Sequence, residues 1–275
     1  MSLSILVLTF NEELNVGDCL ESVRWSDDVL VLDSFSSDRT VEIARQYGVR
    51  VVQRKFDNYA AQRNFGLGQP FKYSWILMLD ADERVPPDLH AELIEATRGA
   101  SPEVAMFRMR RRDHLFGRWI KGASGYPTWF GRLARVGRVR VERPINEEYH
   151  ADGELRDLRG HLDHFPFNKG IDAWIAKLDR YSSMEARLRL DGAAKRLRWP
   201  DLLQRDPDRR RRAVKALAYR LPFRPLAMFT VLYFFRGGLF EGRAGLTFCV
   251  LRAGYEFAID CKLIELQRHQ RGLSV

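Results

Sequence analysis

The chain has 275 residues, 45% of them hydrophobic, with 45 Lys and Arg, 36 Asp and Glu, and a formal net charge of +9. That length fits one large domain, or one domain with an appendage, and the apolar fraction is ample for a core. Three cysteines, Cys19, Cys249 and Cys261, stand too far apart for a metal or redox motif, which leaves a reducing compartment as the simplest expectation.

Met1-Ser-Leu runs directly into Ser4–Leu8, which reads as a strand, so no signal peptide is expected. Strand-like and helix-like segments then alternate. Ser4–Thr9 is a strand, and Asn15–Arg24 a helix with apolar spacing at Val16, Cys19, Leu20 and Val23. Asp28–Asp33 is a strand, and Thr40–Tyr47 a helix with Asp38 as its cap. Val49–Arg54, the helix Tyr59–Leu67 and the strand Trp75–Leu79 follow. Arg84-Val-Pro86-Pro87-Asp88 supplies a turn and the first turn of another helix. This alternation predicts an α/β fold with a parallel sheet covered by helices on both faces.

Three polar clusters fall at strand ends: Thr9-Phe-Asn11-Glu12, Asp33-Ser-Phe-Ser36-Ser37-Asp38-Arg-Thr40, and Asp80-Ala-Asp82-Glu83. Each alone reads as loop and capping chemistry. Together they converge on the carboxyl edge of one sheet, where α/β folds bind ligands. Carboxylates there are hard ligands for Mg²⁺ or Mn²⁺ on a substrate's phosphates. The G-x-G-x-x-G fingerprint is absent after the first strand, which counts against a nicotinamide enzyme.

These three clusters, with Ala61-Gln-Arg63-Asn64-Phe-Gly66, resemble the inverting family-two glycosyltransferases of GT-A fold. The likeness is to the bacterial subgroup acting on lipopolysaccharide core or lipid-linked exopolysaccharide precursors. The resemblance implies a GT-A catalytic domain over 1–168, with a nucleotide-binding half over about 1–100 and an acceptor half over about 101–168. It implies that Thr9, Asn11 and Glu12 line the nucleotide pocket, that Asp33 holds the base, and that Arg63 approaches diphosphate or ribose. Asp80 would contact ribose or metal, and Asp82 would ligate Mg²⁺ or Mn²⁺.

Ser101–Arg112 reads as a strand whose arginines are a solvated edge or a phosphate contact. Gly117–Thr128 reads as a loop; the resemblance places it beside the acceptor, making Tyr126 and Trp129 sugar-stacking candidates against an ordinary core role. Where the family carries His-Glu, this chain has Asn146-Glu147. Inverting transfer needs one base for the acceptor hydroxyl, and the resemblance assigns Glu147, with Glu148 as the rival. It also assigns His164 of His161-Leu-Asp163-His164 as a metal ligand, just before a helix over Ile171–Leu190.

From Arg187 to Arg224 there are thirteen Lys and Arg against four Asp and Glu, so the whole surplus of nine belongs to this segment, with Arg209–Arg212 at its centre. Pro225–Phe235 follows, far short of the roughly twenty apolar residues of a spanning helix. Basic and aromatic residues in this order fit a helical region over 169–275 that lies on an anionic membrane surface. Phe234-Phe-Arg236-Gly-Gly238-Leu-Phe-Glu241-Gly242 looks like the helix-turn that ends the same subgroup.

The expected function is metal-dependent transfer of a sugar from a nucleotide diphosphate, a UDP-sugar first, to a saccharide or lipid-linked acceptor on the cytoplasmic membrane face. A sugar-nucleotide nucleotidyltransferase is the alternative, disfavoured because Thr9–Glu12 is acidic and lacks a Gly-rich basic loop. A nucleic-acid module would explain the arginines but leaves the acids at the sheet edge without purpose; no nucleic-acid partner is expected.

Overall fold

The computed structural model describes residues 3–142, 148–192 and 223–274; Asn146, Glu147 and the run Arg209–Arg212 lie outside them. The chain forms two compact units, Met1–Trp119 with Tyr126–Lys169, and Ile120–Gly125 with Gly170–Val275.

The first unit opens with β1 (Ser4–Thr9), α1 (Val16–Ser22), β2 (Val29–Asp33), α2 (Thr40–Gln46), β3 (Arg50–Gln53), α3 (Tyr59–Leu67) and β4 (Trp75–Asp80). It continues through β5 (Glu83–Arg84), α4 (Pro87–Arg98), β6 (Val104–Leu115), β7 (Arg118–Trp119), β8 (Trp129–Arg135), β9 (Val139–Glu142), β10 (Glu148–Ala151) and β11 (Glu154–His164). The main sheet runs β3-β2-β1-β4-β8-β6-β11-β5. Its first four strands are parallel. Their continuous apolar runs are what a sheet covered on both faces requires: every residue of β2 is buried. Val7, Val31, Leu77 and Leu79 pack in a cluster with residues of α1 and α4, whereas Leu6, Leu30, Leu32, Ile76 and Met78 pack with Leu67 and Phe71 on the other face. Gly66 lets α3 lie close on the sheet, since a Cβ there would come within 2.6 Å of a Leu6 methyl.

The strand expected over Ser101–Arg112 is β6, displaced toward Leu115. The segment expected as a loop over Gly117–Thr128 contains the short strand β7, paired with the end of β6. β8 was not foreseen. It inserts antiparallel between β4 and β6, pairing Leu77 with Leu133 and Phe107 with Leu133. Asp38 is one residue ahead of the cap position, Arg39, yet its Oδ1 accepts the Thr40 N–H at 3.0 Å.

In the second unit α5 (Gly170–Gly192) packs on α7 (Gly242–Gln270), with α6 (Arg224–Thr230), a π-helical turn over Val231–Phe235 and a 3-10 turn over Gly238–Glu241 before α7. Glu256 is buried and takes charge-assisted bonds from Arg224 at 2.8 Å and Arg189 at 3.3 Å. Glu241 accepts the Gly122 N–H at 2.6 Å, which holds Ile120–Gly125 in this unit. No helix among the described residues is long and apolar enough to cross a membrane.

Candidate active site

β8 is antiparallel to both β4 and β6, and β11 is parallel to β6. The carboxyl ends of β1, β2, β4, β6 and β11 therefore share one rim, which brings Thr9, Asp33, Asp80 and His164 to the same edge.

At the β1–β2 corner, Asp33 is fully buried. Its Oδ1 accepts the Thr9 hydroxyl at 2.9 Å and the Ser36 hydroxyl, and its Oδ2 accepts the Ser36 N–H at 2.9 Å and the Gln53 amide at 3.0 Å. Those four bonds fill a carboxylate's capacity, so a base reaching Asp33 would displace one of them. Asn11 adopts φ 53°, a left-handed conformation Asn tolerates. Its N–H donates to Ser36 Oγ at 2.8 Å and its Oδ1 accepts the Ser37 N–H at 2.8 Å, which ties the two loops together. Glu12 accepts from Lys169 at 2.6 Å and from Asn15 at 2.9 Å. Burial pushes its pKa above the ordinary value; Lys169 and Asn15 pull down, and Asp82 adds to the rise.

Asp80 sits between two buried guanidinium groups, Arg63 at 2.8 Å and Arg132 at 2.7 Å. Burial works against its charge, but Arg132, Arg63 and Arg111 prevail and hold the carboxyl far below the usual range. Arg132 also donates to fully buried Glu83 at 2.8 Å, and Glu83 accepts the Asp80 N–H at 3.0 Å. Arg132 reaches them from a β-bulge: the register steps from Phe107–Leu133 to Arg108–Gly131, leaving Arg132 as the extra residue.

Asp82 and His164 meet through the β5–β11 pairing, in which His164 stands opposite Glu83 and the Phe165 N–H donates to Asp82 O at 2.8 Å. His164 Nε2 lies 3.3 Å from Asp82 Oδ2, and its Nδ1 lies 2.6 Å from Asp113 Oδ1. Burial and then Arg111 disfavour the imidazolium, but Asp82 and Asp113 outweigh them and the pKa is raised. Among the described residues no group of three or more His, Cys, Asp or Glu is arranged to hold a metal ion. Asp82 and His164 are the pair that could contribute two ligands, with Asp113 orienting the ring as outer carboxylates do. Mg²⁺ and Mn²⁺ suit such a partial site, because substrate phosphates and waters complete the shell.

Tyr126 and Trp129 stand elsewhere. Successive residues of β6 face opposite sides. Arg110 stacks on Tyr126 and Trp129, whereas Arg111 reaches Asp113 at 3.1 Å and Glu83 at 3.6 Å. The two aromatics therefore share one face of this strand end, and the Asp82–His164 pair belongs to the other. Glu148, the rival base, opens β10 as an exposed residue; Tyr149 beside it packs toward Gly131, on the Trp129 side of β8.

Four contributors carried no assignment in the sequence. Arg132 depends on a bulge that no spacing announces. Asp113 could have been noticed as the one acid closing an arginine run. Asn64 makes two 2.8 Å bonds with the backbone of Val141, clamping β9 to α3. Lys169 donates to Asn11 O at 3.0 Å as well as to Glu12.

Residues 4–156 match the model of Glycosyl transferase family 2. Over 98% of this chain and 93% of the relative, the sequence is 29% identical to the lipopolysaccharide core biosynthesis glycosyltransferase LpsC of Rhizobium meliloti. It is 35% identical to a glycosyltransferase of Rickettsia conorii over 67% of this chain and 69% of that one. Among solved structures, a glucosyl-3-phosphoglycerate synthase from Mycobacterium tuberculosis is 20% identical with a TM-score of 0.35, over 40% of this chain and 44% of that one; that likeness is too slight to place a ligand by.

Proposed function

Because the chain belongs to glycosyl transferase family 2 and is a glycosyltransferase, we propose that it transfers a sugar with inversion from a nucleotide-diphosphate donor, a UDP-sugar first, to a saccharide of lipopolysaccharide core or a lipid-linked exopolysaccharide precursor. The name of the Rhizobium meliloti relative supports the acceptor class. The observation that carries the donor reading is the pairing of Asp82 with His164 beside an Asp80 already committed to two arginines. A bound Mg²⁺ or Mn²⁺ would neutralise the charge that builds on a departing diphosphate. Asp82 and His164 would hold it, the Asn11–Ser37 loop pair would shape the nucleotide pocket, and Arg63 and Arg132 would keep Asp80 ionised. Glu147 would take the acceptor proton as the hydroxyl attacks the anomeric carbon. The surface of the second unit supports work at a membrane face: Phe223, Phe235 and Phe240 are 81%, 80% and 79% exposed.

Calorimetric titration with UDP-, GDP- and ADP-sugars, with and without Mn²⁺, tests the reading. Asp82→Asn should lose metal-dependent donor binding, whereas Glu147→Gln should keep donor binding and lose transfer. Unchanged manganese dependence in Asp82→Asn would remove the metal assignment. Full turnover by Glu147→Gln would move the base to Glu148 or elsewhere.

A further inference from the structure

Three arginines alternate along one face of β6: Arg108, Arg110 and Arg112. Two are neutralised. Arg108 makes a bidentate pair with Asp157 at 2.7 and 3.0 Å, and Arg112 one with Asp163 at 2.6 and 3.1 Å. The side chain of Arg110, between them, makes no hydrogen bond or ion pair among the described residues, and its Nε is buried without a partner. Its guanidinium lies 5.4 Å from the Trp129 ring centroid and 5.9 Å from that of Tyr126. Tyr126 is held in turn by His161, whose Nε2 is 2.7 Å from the Tyr126 oxygen, and by an edge contact with Trp119 at 5.1 Å. His161 stands opposite Arg110 in the sheet, and its Nδ1 is also buried without a partner. Its pKa is lowered, by burial first and then by Arg110 and Arg112, against the pull of Asp88 and Asp163, which favours the neutral imidazole.

Among the described residues this cation has no acid while its two neighbours each have one, which leaves these three arginines and their partners with a charge of +1. The two rings flank the guanidinium, a group that can give two parallel bonds to a carboxylate or phosphate. Trp129, 37% exposed, offers a flat apolar surface beside that group. The charge and the exposed ring together fit a sugar that carries an acidic group. We propose that Arg110, with Trp129 and Tyr126, forms a subsite for an anionic substituent, phosphate or carboxylate, on the acceptor saccharide. The proposal rests on the glycosyltransferase reading for the word acceptor only; the anion site itself does not depend on the donor.

The experiment is calorimetric titration of the full chain with glucose 6-phosphate, glucuronate and glucose as probes. Both acids should bind saturably, and glucose at least tenfold more weakly. Arg110→Gln should weaken both acids about tenfold or more, the scale of one charge-assisted bidentate contact, and Arg110→Lys should lie between. Arg108→Gln, which removes a cation already neutralised, should stay within about twofold of the wild type. Equal binding by Arg110→Gln and the wild type, or glucose binding as tightly as its acids, overturns the proposal. Binding of the phosphate and not the carboxylate narrows the ligand class to phosphorylated sugars, and the converse narrows it to sugar acids. Should Arg110→Gln melt well below the wild type, Arg110→Lys and Trp129→Ala decide, and unaltered binding in both overturns it. Nucleotide-sugar binding measured on the same proteins separates the two readings: Arg110→Gln should keep it, and its absence from the wild type would sink the donor assignment while leaving the anion result to stand or fall alone.

Discussion

The Arg132→Met substitution tests whether the bulge in β8 exists to neutralise the rim. Arg132 is 3% exposed and serves two acids, Asp80 at 2.7 Å and Glu83 at 2.8 Å. The two respond differently to its loss. Asp80 has a third of its side chain exposed and keeps Arg63, so it can recover hydration. Glu83 is fully buried, and its nearest remaining cation among the described residues, Arg111, is 3.6 Å away. Breaking a buried pair by removing one partner costs about 3–5 kcal/mol, because the other charge stays behind. Arg111 offsets part of that, so the expected loss is near the lower end, about 3 kcal/mol, read from the urea midpoint at neutral pH. Glu83→Gln in the same background removes the stranded charge. The double variant should therefore be more stable than Arg132→Met alone, with a coupling energy of about 2 kcal/mol, well above the few tenths expected of independent sites. A loss below about 1 kcal/mol for Arg132→Met, or additive effects in the cycle, would refute the idea that Arg132 neutralises Glu83.

Three further outcomes follow from the same geometry. Glu12 has a folded-state pKa above its ordinary value, so the stability it contributes is complete below about pH 4.5 and is lost as the pH rises through the folded pKa; without divalent metal, melting of Glu12→Gln should gain on the wild type between pH 4 and pH 8. Asp113 is the opposite case: burial is outweighed by His164 and Arg111, and its pKa is lowered, so its contribution is present above about pH 4 and lost in acid. Asp113→Asn should flatten that acid limb in a pH-resolved melt and weaken Mn²⁺ binding about 10- to 100-fold, the usual cost of losing an outer carboxylate. Vesicles containing anionic lipid should co-sediment the protein at low salt, less so for Phe235→Ser and Phe240→Ser; no co-sedimentation of the wild type would count against the membrane assignment.

What the sequence made legible was what is local. The parallel half of the sheet follows from runs such as Val29–Leu32 and Trp75–Leu79, whose residues are buried at every position, because burial on both faces leaves an unbroken apolar signature. The convergence of Thr9, Asp33 and Asp80 on one edge follows from parallelism alone. β8 was illegible for a physical reason. Trp129–Arg135 mixes two rings, a glycine and two arginines, since one end carries the bulge and Arg132 is spent inside the rim instead of in solvent. Non-local partners were equally hidden: the Asp113–His164 and Asn64–Val141 contacts join residues 51 and 77 positions apart, and residue type gives no hint of either.

Asp80 and Asp82, spaced i, i+2, look equivalent in the sequence and are not. The strand ends at Asp80, and the Ala81 N–H turns back to Leu8 O at 3.3 Å, so the first acid stays over the arginines while the second leaves the sheet toward His164. Charge then divides the work. Among the described residues, the set joined by ion pairs comprises Asp80, Asp82, Glu83 and Asp113 against Arg63, Arg111 and Arg132, with His164 between Asp82 and Asp113. With His164 neutral this set carries −1; with it protonated, zero. Its arginines are therefore already used by its own carboxylates, and a nucleoside diphosphate approaching Asp82 would meet no surplus positive charge. An anion of that kind can settle there only with a cation of its own, which is the electrostatic reason to expect a divalent ion to arrive with the donor instead of waiting in a closed protein cage.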